Sequence, residues 1–394
     1  MWHKTQKHML LANKQVAIIG GGPGGLTLGR LLQQQGVNVK VYERDKDRYV
    51  RQQGSTLDMH TDTGLKAITA AGLLDEFKKQ YRPGADRVVV VNSQLEVLLD
   101  EHDDKNEKNF GDEHFRPEID RGALRDMLIA SLKEDNIVWN ARFSAMTPDG
   151  TGWNIQFENG TSVYADLVIA ADGANSKLRK YITDIPPVYS GVTAIEGNIQ
   201  NAVVNAPKFW QLAKGGSLFA LENGRTILFI TKGDGTLAFL IGLKVAESWL
   251  ANLGIDITNR ASLAAWFKQE FASWHPEWNE LLAADTLTIV PRPWYHFPTD
   301  QRWKPLSNLT IMGDAAHRMP AYAGEGANQA LADALDLYEA LCGDTFETIG
   351  QAIAAYEEKM CTRAGAITEM TLHFTAGFHE ADNLQFFMEQ FGGK

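Results

Sequence analysis

Val16-Ala17-Ile18-Ile19-Gly20-Gly21-Gly22-Pro23-Gly24-Gly25 is a short apolar run that ends abruptly in glycine. Such a stretch predicts a buried parallel strand turning sharply into a helix whose N-terminal amides receive a pyrophosphate. Gly20 permits the turn, Gly22 lets the backbone approach the phosphates, and Gly25 lets the helix lie close on the strand. With Pro23 they form the phosphate side of a candidate dinucleotide site.

Outward from that turn, Leu26, Leu28, Leu31 and Leu32 mark the helix and Gly36 stops it. Alternating Val37, Val39 and Val41 then predict a second strand ending at Glu43, where a carboxylate accepts hydrogen bonds from both ribose hydroxyls. A lone glycine pattern is weak evidence. The strand before it, the helix after it and the acid in place make it a dinucleotide reading. FAD and NAD(P) share the adenosine diphosphate, so both stay open at this point. Arg44 either stacks on adenine or is a solvated charge at the strand end.

A chain of 394 residues, 44% hydrophobic and 22% charged, reads as an ordinary soluble globular protein of two or three domains. Its 38 basic and 49 acidic residues give a net charge of −11, which argues against nucleic acid or an anionic membrane surface as partner. Cys342 and Cys361 show no CxxC or Cys/His metal pattern and predict reduced, buried thiols in a cytoplasmic protein. The N-terminus has only Met9-Leu10-Leu11-Ala12 as an apolar stretch, so no signal peptide is expected. No run approaches the ~20 apolar residues of a membrane span. His3 and His8 are expected on a mobile tail rather than on a metal.

Strand and helix patterns alternate to about residue 75, which favours a parallel α/β sheet. Val88–Val91 and Leu95–Leu99 read as a strand pair around Asn92-Ser93, and His102 to Glu113 as a solvated, charge-rich loop. From Asp120, read as an N-cap, Leu124, Leu128 and Leu132 space a helix on which Arg121 and Arg125 share a face. The two arginines are either a surface basic pair or a cofactor clamp. Strands are expected around Trp139–Ala141, Trp153–Phe157 and Ala165–Ala171, the last ending in Asp172-Gly173. From Ser190 to about Leu243, short β runs with turns at Gly215-Gly216, Asn223-Gly224 and Asp234-Gly235 predict an inserted antiparallel sheet. A helix around Ser262–Phe271, then Pro291-Arg292-Pro293, lead to a last parallel strand at Leu309–Met312. The chain closes with helices over Ala327–Leu341 and about Ile349–Leu372. Its aromatic-rich tail from Phe374 either closes over a pocket or caps the core.

In Gly313-Asp314-Ala315-Ala316-His317-Arg318-Met319-Pro320-Ala321-Tyr322-Ala323-Gly324-Glu325-Gly326-Ala327-Asn328 an acid follows a buried strand and a glycine-containing loop opens a helix. With this constellation the chain resembles the class A flavoprotein aromatic hydroxylases, and among them most the tetracycline-inactivating Tet(X)-type monooxygenases. The likeness runs from about Lys14 to the C-terminal helices. It rests on the glycine turn, Val41-Tyr42-Glu43-Arg44-Asp45, Gly54-Ser55-Thr56-Leu57-Asp58, Pro117-Glu118-Ile119-Asp120-Arg121, Asp172-Gly173 and Gly313-Asp314, in that order. It implies FAD, with Asp314 on the ribityl chain, Asp172-Gly173 supporting flavin and nicotinamide use, and Arg51, Asp58, Arg121 and Arg125 on the cofactor. A helix starting at Gly324, with Ala327 and Asn328 in its first turn, aims free amides at the flavin pyrimidine, where reduced flavin is anionic. Such an end stabilises charge by about 0.3–1 kcal/mol, and up to about 2 when partly buried. His317 is expected to be packed and hydrogen-bonded, and no catalytic acid or base is assigned.

The fold expected from this resemblance is α/β: a Rossmann-like, GR2-type three-layer FAD-binding domain over 14–80, 101–185 and 291–345. A substrate-binding sheet takes 81–100 and 186–290, and a helical segment takes 346–394. The implied reaction is NAD(P)H-dependent hydroxylation of an aromatic or polyketide-like small molecule through a flavin hydroperoxide, with NADPH or NADH and O₂ as co-substrates, in a monomer. Candidate substrate residues are Glu196, Phe219, Phe229, Ala238 and Tyr322, with sheet core as the alternative for Phe219 and Phe229.

The tetracycline-inactivating pattern has a glutamine, an arginine and a histidine where Glu196, Ser217 and Ala238 stand here. Lost donors leave buried polar groups of the substrate unpaired at about 1–3 kcal/mol each, which disfavours tetracycline as the natural substrate, although the resemblance implies an antibiotic-resistance role. Glu325 replaces the usual glutamine: facing the flavin it disfavours the anionic reduced form, facing solvent it does nothing. Two other readings are an FAD-dependent reductase or dehydrogenase on the same fold, and a non-catalytic flavoprotein that sequesters a ligand.

Overall fold

The computed structural model describes residues 10–50, 54–104, 108–112, 115–284 and 287–392. Arg51, His3, His8 and part of the 102–113 loop lie outside them.

The apolar run before the glycines forms the strand Gln15–Ile19, buried from Val16 onward. It is the centre of a five-stranded parallel sheet in the order Leu309–Ile311, Leu167–Ala170, Gln15–Ile19, Asn38–Tyr42, Ile137–Val138. Continuous hydrophobic runs are what a parallel sheet covered on both faces requires. On one face lie the helices Pro23–Gln34 and Glu325–Cys342, packed on each other, with Arg121–Ser131 beside the first. An antiparallel meander, Phe143–Asp149, Gly152–Phe157 and Ser162–Ala165, accompanies the sheet. The long helix Ile349–Gly377 packs on Glu325–Cys342 and is opened by a capping box between Thr348 and Gln351.

The inserted sheet has seven strands: Leu287–His296, Val188–Ile199, Leu237–Lys244, Arg225–Thr231, Ser217–Glu222, Val88–Val91 and Val97–Asp100. Period-two alternation divides it into two faces. Ile195, Leu218, Ile227, Phe229, Phe239 and Ile241 pack outward with Phe209, Phe267 and Trp278 from the covering helical segments. The opposite face, carrying Val90, Phe219, Leu221, Ala194 and Leu240, meets Tyr322, Trp294, Phe378 and Phe387. The aromatic tail thus packs on the sheet, and it ends in a further helix, Asn383–Phe391, that the sequence pattern did not separate.

Several expectations need correction. The strand expected at Trp139–Ala141 is Ile137–Val138, and Asn140 at φ +56° ends the extended run. The strand Phe143–Asp149 was missed because exposed Ser144, Thr147, Pro148 and Asp149 dilute its alternation. Pro291 and Pro293 lie inside Leu287–His296, which crosses the expected boundary at 290/291. That strand is an edge of the sheet, where a proline removes no needed ladder donor. Asp120 occupies the N-cap position of Arg121–Ser131 without capping it, and its Oδ2 accepts from Gly233 N at 3.0 Å. Phe110, inside the supposedly solvated loop, packs edge-on against Phe77 and Tyr81.

Candidate active site

The glycine turn meets the demands of a phosphate cradle. Gly20 has φ +123°, and a Cβ there would overlap the Ala171 carbonyl of the neighbouring strand. A Cβ on Gly25 would overlap the Gly20 carbonyl, so the helix reaches the strand only because both are glycine. Gly22, by contrast, faces open space within 4 Å, and it caps Pro23–Gln34 without any side-chain bond to the first-turn amides. A helix end with no side-chain cap, beside a glycine cradle, fits a pyrophosphate.

Glu43, only 4% exposed, ends its strand beside this turn. Its Oε2 accepts from Gly21 N at 2.8 Å and its Oε1 from Asp45 N at 2.9 Å. Arg125 is buried rather than a surface charge. Its guanidinium donates to the Gly21 and Arg48 carbonyls, each at 3.3 Å, and stands 4.0 Å from Glu43. It braces the turn and the acid together. Arg121 lies at Gly54, whose added Cβ would meet its Cδ at 3.5 Å. Arg44 is exposed.

The second constellation converges at the start of Glu325–Cys342. Gly324, at φ +68°, occupies the N-cap position without a side-chain capping bond, and Asp314 Oδ1 lies 3.7 Å from where a Cβ on Gly326 would stand. Asn328 is fully buried: its Oδ1 accepts from His60 N at 3.0 Å and its Nδ2 donates to the Asp58 carbonyl at 2.8 Å. This staples the turn after Thr56–Asp58 to the helix, with Ala327 half-buried in the same helical turn. Asp172 Oδ2 accepts from Lys177 N at 2.8 Å, its Oδ1 is buried without a partner, and burial raises its pKa. Cradle, acid and amide-bearing helix end together fit FAD.

His317 is buried with Nε2 2.6 Å from Asp333, which also accepts from Gly313 N at 2.8 Å. Arg363 closes the other side of Asp333 at 2.5 Å. Asp333 therefore ties His317 to the Gly313 amide, and the other ring nitrogen of His317, Nδ1, is buried without a partner.

On the sheet face, register brings the substrate candidates into rows. Asn198, Ala238, Ile230 and Ser217 stand side by side, as do Glu196, Leu240, Leu228 and Phe219 in the next row. Tyr322 lies over the following row, against Gly242 and 4.9 Å from the Trp294 ring. Two residues before Gly324, it joins the sheet floor to the helix end. Glu196 pairs with Arg292 at the rim. Phe229 drops out of the candidate set. Its side chain is fully buried on the other face, stacked 4.9 Å from Phe209, because odd and even positions of a strand cannot share a face.

Two histidines belong here that the sequence pattern did not mark. His379 Nδ1 faces the Gly224 carbonyl at 3.0 Å, so its Nε2 accepts from Tyr322 Oη at 2.9 Å. Burial lowers its pKa to about 4 and keeps it neutral. His60 stands between Asp58 and Glu325. Its only sequence signal is its place two residues after the Gly54-Ser55-Thr56-Leu57-Asp58 motif.

Comparison with known proteins agrees with this geometry. A family described as FAD binding domain matches residues 13–371. The monooxygenase penA of Penicillium thymicola is 29% identical over 416 residues, covering 91% of this chain and 94% of that protein. The 6-hydroxynicotinate 3-monooxygenase of Pseudomonas fluorescens is 24% identical over 378 residues, covering 91% and 90%. Among solved structures, HpxO of Klebsiella pneumoniae with FAD and uric acid superposes with a TM-score of 0.72 at 21% identity, covering 96% and 92%. The tetracycline destructase Tet(55) superposes at 0.74 with 19% identity, covering 96% and 95%, a likeness of fold. The chain belongs to the FAD binding domain family of class A aromatic hydroxylases and is an FAD-dependent monooxygenase.

Proposed function

We propose that the enzyme hydroxylates a flat, electron-rich aromatic or heteroaromatic small molecule held between the sheet floor and the start of Glu325–Cys342, with NADPH as reductant. The observation that carries this is the floor itself. Its two rows offer Ala238, Ile230, Leu240, Leu228 and Phe219, a mostly apolar surface, with Asn198, Ser217 and the Arg292-paired Glu196 as the polar positions. Such a surface holds a ring by area and orients it by a few polar contacts. The names of relatives that act on 6-hydroxynicotinate and 3-amino-4-hydroxybenzoate support the substrate class.

Bound FAD supplies hydride acceptance and oxygen activation. The chain's own residues do the rest. The glycine cradle and Glu43 would hold the adenosine half, Asp314 and the 324–328 turn would hold the flavin half, and the Phe378–Phe387 cluster covers the Phe219 end of the floor against water. Tyr322 is kept neutral by burial and holds one edge of the floor through His379.

A panel of hydroxybenzoates, hydroxypyridines, quinolones and tetracycline, scored by NADPH oxidation and product mass, tests the reading. Acceleration and a gain of one oxygen are expected with a small phenolic or heteroaromatic ring and not with tetracycline. A preference for tetracycline would overturn the floor argument, and flavin reduction without any hydroxylated product would favour a reductase.

A further inference from the structure

At the start of Glu325–Cys342, ionisable side chains from two distant segments are packed in a line. Glu325 is the first residue of the helix and 8% exposed. Its Oε1 lies 3.3 Å from His60 Nδ1, and its Oε2 accepts from Gln329 Nε2 at 3.1 Å. The other imidazole nitrogen, Nε2, lies 2.8 Å from Asp58 Oδ2. An imidazole with a carboxylate at each nitrogen needs a proton on both, since a neutral ring would turn a lone pair on one of them.

The orientation of Gln329 is fixed from behind. Arg363 Nε, which can only donate, gives its hydrogen to Gln329 Oε1 at 2.8 Å, so the amide presents N–H to Glu325. Glu325 thus receives two donors and is held as a carboxylate. Burial alone would lower the His60 pKa, yet its bonds to Asp58 and Glu325 outweigh that and lift it to about 9. The same contacts hold Glu325 low against its own burial.

The charged groups around the imidazole are unbalanced without its proton. Besides Asp58 and Glu325, Asp314 lies across Gly326, while Glu118 faces Asp58 from the neighbouring strand with its pKa pushed up to about 8 by burial and the Asp58 charge, so that it adds no charge at neutral pH. Arg116, 3.9 Å from Asp58, is the cation next to them. An uncancelled carboxylate here would oppose the positive end of the helix dipole at the place where negative charge must be received.

We propose that His60 is a positioning residue for the flavin: standing between Asp58 and Glu325, it cancels the carboxylate that Glu325 brings to the helix end and keeps that end fit for an anionic reduced ring. The inference rests on FAD taking the family's place in the cleft. It answers what Glu325 does there, which is neither to face solvent nor to repel the flavin alone.

The test compares the flavin midpoint potential and FAD affinity of holoenzyme for wild type, His60→Gln, Glu325→Gln and the double variant. His60→Gln should weaken reduced FAD at least tenfold relative to oxidised FAD, a drop of about 30 mV for a two-electron couple. Adding Glu325→Gln should restore most of that drop, a rescue that loss of packing would not give. Flavin reduction to the anionic ring takes up a proton and lowers the potential with pH in every variant; in wild type the fall should steepen around pH 9, an added step that the double variant lacks. If His60→Gln does not retain FAD, the wild-type pH series carries the test. An unchanged potential in His60→Gln, a double variant as low as the single, or no step near pH 9 would overturn the proposal. Wild-type protein that holds no FAD would sink the cofactor reading itself, and this inference with it.

Discussion

The glycine turn and the sheet floor are both places where the chain must leave room for another molecule, but they do so in opposite ways. At the turn, the backbone makes the room: Gly20 and Gly25 would collide with carbonyl oxygens if they carried a Cβ, and Gly22 faces open space. On the floor, side chains make it, and the register of four strands decides which of them look inward. Backbone room tolerates almost no substitution, whereas a floor can be relined one side chain at a time. The cofactor end is therefore rigidly written and the substrate end is free to vary.

The largest effect separating the two regions is expected from Gly25→Val. Its Cβ would overlap the Gly20 carbonyl, forcing the helix from the strand at a cost of about 1–3 kcal/mol or more, with loss of FAD. Fluorescence titration of FAD checks this, and near-normal affinity would break the backbone half of the comparison. Next come the two phenylalanines. Phe229→Ala should cost about 3–5 kcal/mol of stability while leaving KM nearly unchanged, because Phe229 packs between Phe209 and Trp278 on the outer face. Phe219→Ala should instead change KM and the coupling of NADPH use to product. Because Phe219 also packs on Phe387 at 5.0 Å, both variants lose stability, and it is an unchanged KM in Phe219→Ala or a changed one in Phe229→Ala that would mean the faces are wrongly assigned.

The legible and illegible parts of this molecule differ for the same physical reason. Gly20 to Gly25, Glu43 and Gly313-Asp314 are tied to backbone geometry that few residues provide, and their placement could be read directly. Phe229 could not be separated from Phe219 by sequence, since both lie in apolar runs and only the pairing register assigns a face. Pro291 and Pro293 concealed a strand because nothing local says that it is an edge. His60 and His379 were hidden because each acquires its role from a partner far along the chain, Glu325 for the one and Tyr322 for the other.

A smaller effect is expected from pH on the protein without FAD. The folded His60 value, about 9, lies above the ordinary 6.5, so its contribution is complete below 6.5 and is lost as pH rises through 9. Glu325 is held below its ordinary 4.5, so its share is present above that value and is lost as pH falls through the lowered one. Thermal unfolding should thus show a decline in stability between about pH 7 and 9.5 of at most about 3 kcal/mol, and His60→Gln should flatten it. A wild-type profile as flat as the variant's would remove the imidazolium. The smallest effect is expected from Glu196→Gln, an exposed rim pair with Arg292 worth about 0–1 kcal/mol, whose loss should leave unfolding unchanged.

The most direct measurement of the whole account is turnover under ¹⁸O₂ with NADPH and the best aromatic substrate of the panel, followed by mass spectrometry of the product. One ¹⁸O atom in each hydroxylated molecule, with NADPH oxidised faster when substrate is present, is the predicted result. Unlabelled product, or electrons passing only to hydrogen peroxide whatever ring is offered, would contradict it.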